Sequence, residues 1–299
     1  MWVALVATMT MMTACAGSEP KPAAPPLRPA VQHGEVGVDG QVRTYRAFAP
    51  TTLEHASRPP LVLVLGGVGN SAENMVSATE FDRAASMHDF VVAYPEGLDL
   101  TWNAGFCCAS GTSSGADDVG FLSRLIDELV VDYEIEPARV YATGVSAGPM
   151  MAYRLACEQP GRIAGVASVA GAMVLDECRP DRGVPVIEIH GTADPLVPYE
   201  GGPVNPEGVA TRPAPPTRAV VERWAALNGC PAGPDEDTQA PVSTLTWSDC
   251  PGGAAVKLVT IEGGGHTWFA EGLGPANGAV DATSLIWDFF RSPGEETSG

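Results

Sequence analysis

Residues Arg139 to Glu158 read RVYATGVSAGPMMAYRLACE. A short apolar run, Val140-Tyr141-Ala142, enters a tight Gly144-Val145-Ser146-Ala147-Gly148. Met150, Met151, Tyr153, Leu155 and Ala156 then supply helix formers with an apolar face. Strand, sharp turn and helix with a serine at the bend is the setting in which G-x-S-x-G becomes a nucleophile elbow. The glycines let strand and helix backbones approach where side chains would clash. Ser146 Oγ is then presented at the C-terminal edge of a sheet.

The same pattern occurs at Gly111-Thr112-Ser113-Ser114-Gly115. No apolar strand precedes that copy, so its serines read as turn or cap residues for the helix after Asp117. Context selects Ser146.

The chain has 299 residues and a formal net charge of −19, with only 17 Lys and Arg. So few cations cannot build a basic patch, which excludes nucleic acid and other polyanions as partners. Residues 1–15, MWVALVATMTMMTAC, are apolar, uncharged and too short to span a bilayer as a helix. They resemble a bacterial signal peptide ending in a lipobox, Met12-Thr13-Ala14-Cys15, with Cys15 the lipid-modified residue, although no Lys or Arg precedes the apolar run. Residues 16–35 contain a Pro/Ala-rich tether, 36–293 the folded domain and 294–299 a polar tail. Contact with a membrane is expected only through the lipid.

Without Cys15, the cysteines are Cys107, Cys108, Cys157, Cys178, Cys230 and Cys250. An even number in an exported chain reads as disulfides. Cys230 and Cys250 bracket one local excursion and are paired with each other. Cys107 and Cys108 are neighbours, expected to reach separately to Cys157 and Cys178. A zinc site is the alternative, disfavoured because there is no C-x-x-C and His spacing is unsuitable.

Val42 to Phe48 alternates like a half-buried edge strand, and Leu61 to Leu65 is a continuous run of the buried parallel type. Phe90 to Ala93, Ile163 to Val169, Val184 to Ile189 and Val256 to Ile261 are further strands. Asp117 to Tyr133 and Ala279 to Phe290 are amphipathic helices. Strands alternating with helices predict an α/β fold, a mostly parallel doubly wound sheet in a single domain.

A serine hydroxyl attacks only if a base takes its proton, and the base needs an acid to orient it. In this topology the order is Ser, acid, His, each at a strand end. Only His190 and His266 follow Ser146. His266, after the last strand in Gly263-Gly264-Gly265-His266-Thr267-Trp268, is the base. Asp194, on the turn of Ile189-His190-Gly191-Thr192-Ala193-Asp194, is the acid. His190 is read as a hydrogen-bonded strand-end residue that shapes this turn. An oxyanion needs two N–H donors. Ala147 supplies one, and Gly67 or Val68, in Leu65-Gly66-Gly67-Val68-Gly69-Asn70, the other. Trp102 and Trp268 are read as walls of the substrate pocket, with core packing as the competing role. Asp117 and Asp118 are read as a helix cap and a loop brace.

These pieces carry a resemblance. Tyr94-Pro95-Glu96-Gly97, Trp102-Asn103-Ala104-Gly105 with Cys107-Cys108, Asp117-Asp118-Val119-Gly120-Phe121, GVSAG, HGTADPLVPY and GGGHTW run in one order over about residues 36–291. In this the chain resembles the secreted esterase family of poly(3-hydroxybutyrate) depolymerases, feruloyl esterases and LpqC-type lipoproteins. The resemblance implies an α/β-hydrolase fold, no metal or cofactor, carboxylic ester hydrolysis and Ser146, Asp194 and His266 as the triad. It departs at Gly66-Gly67, where the family usually has His-Gly. The expected substrate is a small or oligomeric ester, of the hydroxyalkanoate type. Feruloyl or acetylxylan esters are the alternative; acyl transfer to an alcohol, or a lipoprotein that only binds, are further rivals.

Cys15→Ala should abolish metabolic labelling by a palmitate analogue that marks the wild type. Equal labelling of both would remove the anchor.

Overall fold

Leu61, Leu63 and Leu65 pack into one hydrophobic cluster, while Val62 and Val64 between them pack into another. A strand covered on both faces requires this, because successive side chains point to opposite sides and all must be apolar. A computed structural model describes residues 1, 30–53, 58–108, 115–159, 161–205, 209–231 and 233–292. The proposed lipobox with Cys15, the second G-x-S-x-G up to Ser114 and the polar tail lie outside the described residues.

In chain order the elements are β1 (Val31–Val38), β2 (Gln41–Phe48), β3 (Leu61–Leu65), α1 (Ala72–Thr79), α2 (Phe81–His88), β4 (Val91–Pro95), α3 (Asp118–Asp132), β5 (Val140–Val145), α4 (Ala147–Glu158), β6 (Gly165–Val169), β7 (Val186–Gly191), α5 (Thr217–Leu227), β8 (Asp235–Gln239), β9 (Val242–Trp247), β10 (Val256–Ile261) and α6 (Ala282–Arg291). They build a ten-stranded sheet of order β1-β2-β4-β3-β5-β6-β7-β10-β9-β8. The stretch from β4 to β10 is parallel throughout. Antiparallel strands close both edges. Residues of α3, α4 and α5 belong to the cluster on one face; those of α1, α2 and α6 belong to the other. The sheet is therefore mostly parallel and doubly wound, as its alternating strands and helices predict.

This topology positions the site. β3, β5, β6, β7 and β10 are consecutive neighbours running the same way, so their C-terminal ends reach one edge. The loops after them carry Gly67, Ser146, Asp194 and His266. Ligands of open α/β sheets bind at that edge.

Local chemistry sets the helix ends. Asp117 Oδ1 accepts the Gly120 N–H at 2.8 Å and starts α3. Asp281 accepts the Ser284 N–H at 3.1 Å, so α6 begins three residues later than its apolar pattern predicts. Pro149 falls in the first turn of α4, where its missing N–H costs nothing.

Several expectations require correction. Residues 42–48 are not at the edge: β1 pairs outside β2 and takes Val31–Glu35 from the end of the predicted tether and Val36–Val38 from the start of the predicted domain. Strands β8 and β9 lie between Cys230 and Cys250, where β8 is exposed throughout and has no apolar alternation to reveal it. Cys107 and Cys108 do not reach to Cys157 and Cys178. Cys107 bonds Cys108, and Cys157 on α4 bonds Cys178, with Cα atoms 4.9 Å apart. That separation is comfortable for a bridge between a helix end and the loop after β6. Cys230 bonds Cys250 as expected.

Side chains at Gly144 and Gly148 would each collide with the backbone carbonyl of Leu65. A Cβ on Gly37 in β1 meets nothing within 4 Å. Gly148→Ala should therefore cost about 1–3 kcal/mol in urea unfolding, and Gly37→Ala close to nothing; equal losses would contradict the packing.

Candidate functional site

Ser146 sits between β5 and α4 at φ 62°, ψ −113°, a conformation that L-residues avoid. Its amide donates to the Val169 carbonyl at 3.0 Å, which ties the bend to the neighbouring strand. Ala147 opens α4, so its N–H lacks an intrahelical acceptor and lies at the positive end of the helix dipole. Gly67 lies alongside: a Cβ there would stand 3.0 Å from Ser146 Cβ and 3.2 Å from the Val145 carbonyl. A turn in which Asn70 N–H donates to Gly67 O at 3.0 Å shapes this loop. Among the described residues, the N–H groups of Gly67 and Val68 donate to no backbone carbonyl, and both residues line the cavity beside Ser146. The geometry suits an oxyanion that accepts from the N–H groups of Ala147 and of Gly67 or Val68.

Trp102 does not wall this cavity. It is 1% exposed and its Nε1–H donates to the Gly66 carbonyl at 2.8 Å. It braces the loop at the place where the resemblance departs from the family pattern. The segment that carries it is braced in turn by Asp118, whose Oδ2 accepts the Asn103 N–H at 2.6 Å and whose Oδ1 pairs with Arg43 at 2.8 Å. Asp117 and Asp118 are thus a cap and a brace, as read from the sequence.

The turn after β7 brings Asp194 to the edge. Asp194 Oδ1 accepts the N–H groups of Leu196 and Val197 at 2.8 and 2.9 Å, and Oδ2 accepts from His266 Nδ1 at 2.8 Å. The glycine run before His266 allows its loop to lock onto this turn. Ala193 N–H donates to Gly264 O at 2.9 Å, and Gly263 N–H to Thr192 Oγ1 at 2.9 Å. A side chain on Gly191 would collide with the backbone of Gly264. With Nδ1–H committed to Asp194, Nε2 of His266 is left as the acceptor for a proton. Ser146 and His266 line one cavity of about 420 Å³; among the described residues no hydrogen bond joins them directly.

Trp268 lines that cavity with Met75, Met150, Leu196, Val204 and the bonded pair Cys107–Cys108. Trp268 is also core-packed, edge-on to Phe81 at 6.0 Å, with its Nε1–H on Thr283 Oγ1 at 3.1 Å. The sequence reading missed the disulfide wall, for which the adjacent cysteines next to Trp102 were the available signal. It also missed Glu188, a fully buried carboxylate two residues before His190 on strand β7. Among the described residues, no group of three or more His, Cys, Asp or Glu side chains is placed to hold a metal ion.

Comparison with known proteins shows the family and the fold. Residues 44–198 match the family described as esterase PHB depolymerase. "Putative esterase NocK" of Nocardia uniformis subsp. tsuyamanensis is 35% identical over 88% of this chain and 88% of its own length. "Feruloyl esterase B" of Piromyces equi is 30% identical over 78% of this chain, which spans 42% of that protein. Among solved structures, the acetyl xylan esterase from Aspergillus awamori superposes with a TM-score of 0.63 over 87% of this chain and 99% of its own, at 14% identity. That likeness establishes the fold, an α/β-hydrolase fold.

The electrostatics follow from the contacts. Burial opposes the charge on Asp194, but hydrogen bonds from His190, His266 and the Val197 N–H outweigh it and hold its carboxyl well below the usual range. Burial likewise opposes protonation of His190, yet its bonds to Asp194 and Glu188 raise it to about 9. Stability from His190 is therefore fully present below its unfolded value of about 6.5 and is lost as pH rises through the folded one. Stability from Asp194 is present above its unfolded value of about 3.9 and is lost as pH falls. The urea midpoint should decline as pH rises from about 6.5 towards 9.5, and less so in His190→Gln. Identical declines in both would show that His190 carries no such charge.

Proposed function

Because the chain belongs to the esterase PHB depolymerase family and is a carboxylic ester hydrolase, we propose that it cleaves short hydroxyalkanoate esters through an acyl-enzyme on Ser146. The observation that carries this reading is the 2.8 Å bond from His266 to Asp194 on the cavity that Ser146 also lines. As Ser146 Oγ attacks the ester carbonyl, His266 Nε2 takes its proton. Asp194 holds the imidazole in the tautomer that leaves Nε2 free and stabilises the imidazolium that forms. The N–H of Ala147, with that of Gly67 or Val68, receives the charge on the carbonyl oxygen. His266 then returns the proton to the leaving alcohol. Water, deprotonated by His266, attacks the acyl-enzyme and releases the acid and free Ser146.

The cavity's apolar wall supports a short, weakly polar acyl chain. Its volume of about 420 Å³ suits one or two hydroxybutyrate units in place of a polymer surface. Feruloyl or acetyl esters are the second reading, favoured by the names "Feruloyl esterase B" and "Bifunctional acetylxylan esterase/xylanase XynS20E" among the relatives. Three disulfides support folding in an oxidising compartment after export. Retention at the envelope by a lipid on Cys15 completes the proposal.

Ser146→Ala should lower p-nitrophenyl butyrate turnover by roughly 10⁴-fold or more with an unchanged melting temperature. Turnover near the wild-type rate would end the proposal. For the substrate, kcat/KM should be highest on hydroxybutyrate oligomers; a larger value on methyl ferulate or acetylated xylan would move the assignment to the second reading.

A further inference from the structure

Behind Asp194, on the side away from the cavity, lies a buried chain of polar groups that the mechanism above does not use. His190, on β7, has no exposed surface. Its Nε2 faces the Val197 carbonyl at 2.9 Å and Asp194 Oδ2 at 3.3 Å. Its Nδ1 faces Glu188 Oε1 at 3.3 Å and Thr217 Oγ1 at 3.4 Å. The other oxygen of Glu188 accepts from the Tyr153 hydroxyl on α4 at 2.8 Å. Burial first, then the neighbouring Glu188, raises the Tyr153 phenol far above its ordinary value, so it stays a donor.

Val197 O and the carboxylates of Asp194 and Glu188 can only accept. A neutral imidazole has a single N–H and would turn a lone pair on one of these oxygens. Protonation at both nitrogens satisfies all of them. Among the described residues, Thr217, at the start of α5, is the one neighbour able to donate to Nδ1, and it is farther away than Glu188. The remaining groups near the ring are Tyr199, edge-on at 5.8 Å with its hydroxyl on Thr260 of β10, and Arg218 and Glu200 beyond it. The 2.8 Å bond between Tyr199 and Thr260 leaves His190 untouched.

We infer that His190, braced by Glu188 and Tyr153, is a buried positioning cation that fixes the charge and orientation of Asp194 and thereby sets the pH below which His266 stops accepting the Ser146 proton. Glu188 and His190 together are neutral, but their positive end faces Asp194. A proton on His266 is repelled by that end and attracted by Asp194. The pair thus offsets part of the pull of Asp194, and His266 remains unprotonated, and competent as a base, to lower pH than Asp194 alone would permit. The raised imidazole of His190 agrees with this geometry. The inference rests on His266 being the base for Ser146.

Protein labelled with ¹⁵N-histidine tests the charge without any appeal to activity. At about pH 7.5 the His190 ring should show both nitrogens protonated; a singly protonated ring overturns the inference while leaving the esterase reading intact. The pH profile of kcat/KM for p-nitrophenyl butyrate tests the consequence. Removing the cation in His190→Gln should move the acid limb up by about one pH unit, and removing its counter-charge in Glu188→Gln should move it down by about half a unit. Loss of packing alone would not shift the two variants in opposite directions. Limbs that stay together with the wild type, or move the same way, overturn the inference. If His190→Gln does not fold, Glu188→Gln decides alone: its limb must move down and its His190 must titrate below the wild-type value, and failure of either is a refutation.

Discussion

The carbonyl of Leu65 lies against Gly144 and Gly148, and the site depends on that approach of three backbones. It seats the start of α4 against the ends of β3 and β5, which forces Ser146 into its positive-φ bend. It also draws Gly67 against Ser146, so the serine and the N–H groups of Gly67 and Val68 occupy one corner of the sheet edge. Backbone strain of this kind costs on the order of 1–3 kcal/mol and persists only where the surroundings enforce it. Here the enforcement comes from the buried strands on both sides and from Trp102, whose indole N–H holds the Gly66 carbonyl.

A second constraint is electrostatic and lies at the other end of the cavity. Asp194 is buried, and a buried carboxylate is tolerated only when its lone pairs are met. Two backbone N–H groups and two histidines meet them. The same contacts decide which way His266 points and which nitrogen it offers. The glycines at 191 and 263–265 matter here because the turn after β7 and the loop after β10 must lie in backbone contact for the pair to form. One end of the site is thus set by close packing and the other by satisfied charge.

The sheet and its helices were legible where an element is long and its period clear. β3, β5, β10 and α3 appear close to where alternation or three-and-four spacing places them. β8 was not legible, because Asp235–Gln239 is exposed and held by pairing with β9, a contact that leaves no apolar trace in the sequence. The first five residues of β1 were absorbed into the tether for the same reason: the strand's burial comes chiefly from Val36 and from pairing with β2. Trp102 and Trp268 share a residue type and a place beside a conspicuous motif. Their difference, one bracing a loop and the other facing the cavity, depends on contacts with residues far away in the chain. Adjacent Cys107 and Cys108 could each have reached elsewhere, and the pairing was decided by how near Cys178 lies to the end of α4.

By itself the sequence determined the fold class, the serine at the strand-to-helix bend, and the order of Ser146, Asp194 and His266 along the chain. Each of these is written in local pattern: strand period, glycine spacing, and polar residues placed just past strand ends. Only the tertiary structure decided which groups meet at Asp194, that Cys107 and Cys108 close on each other beside the cavity, and that His190 is buried between two carboxylates. Those outcomes turn on distances between strands that are remote in sequence, and a charge buried among neighbours takes its state from all of them at once.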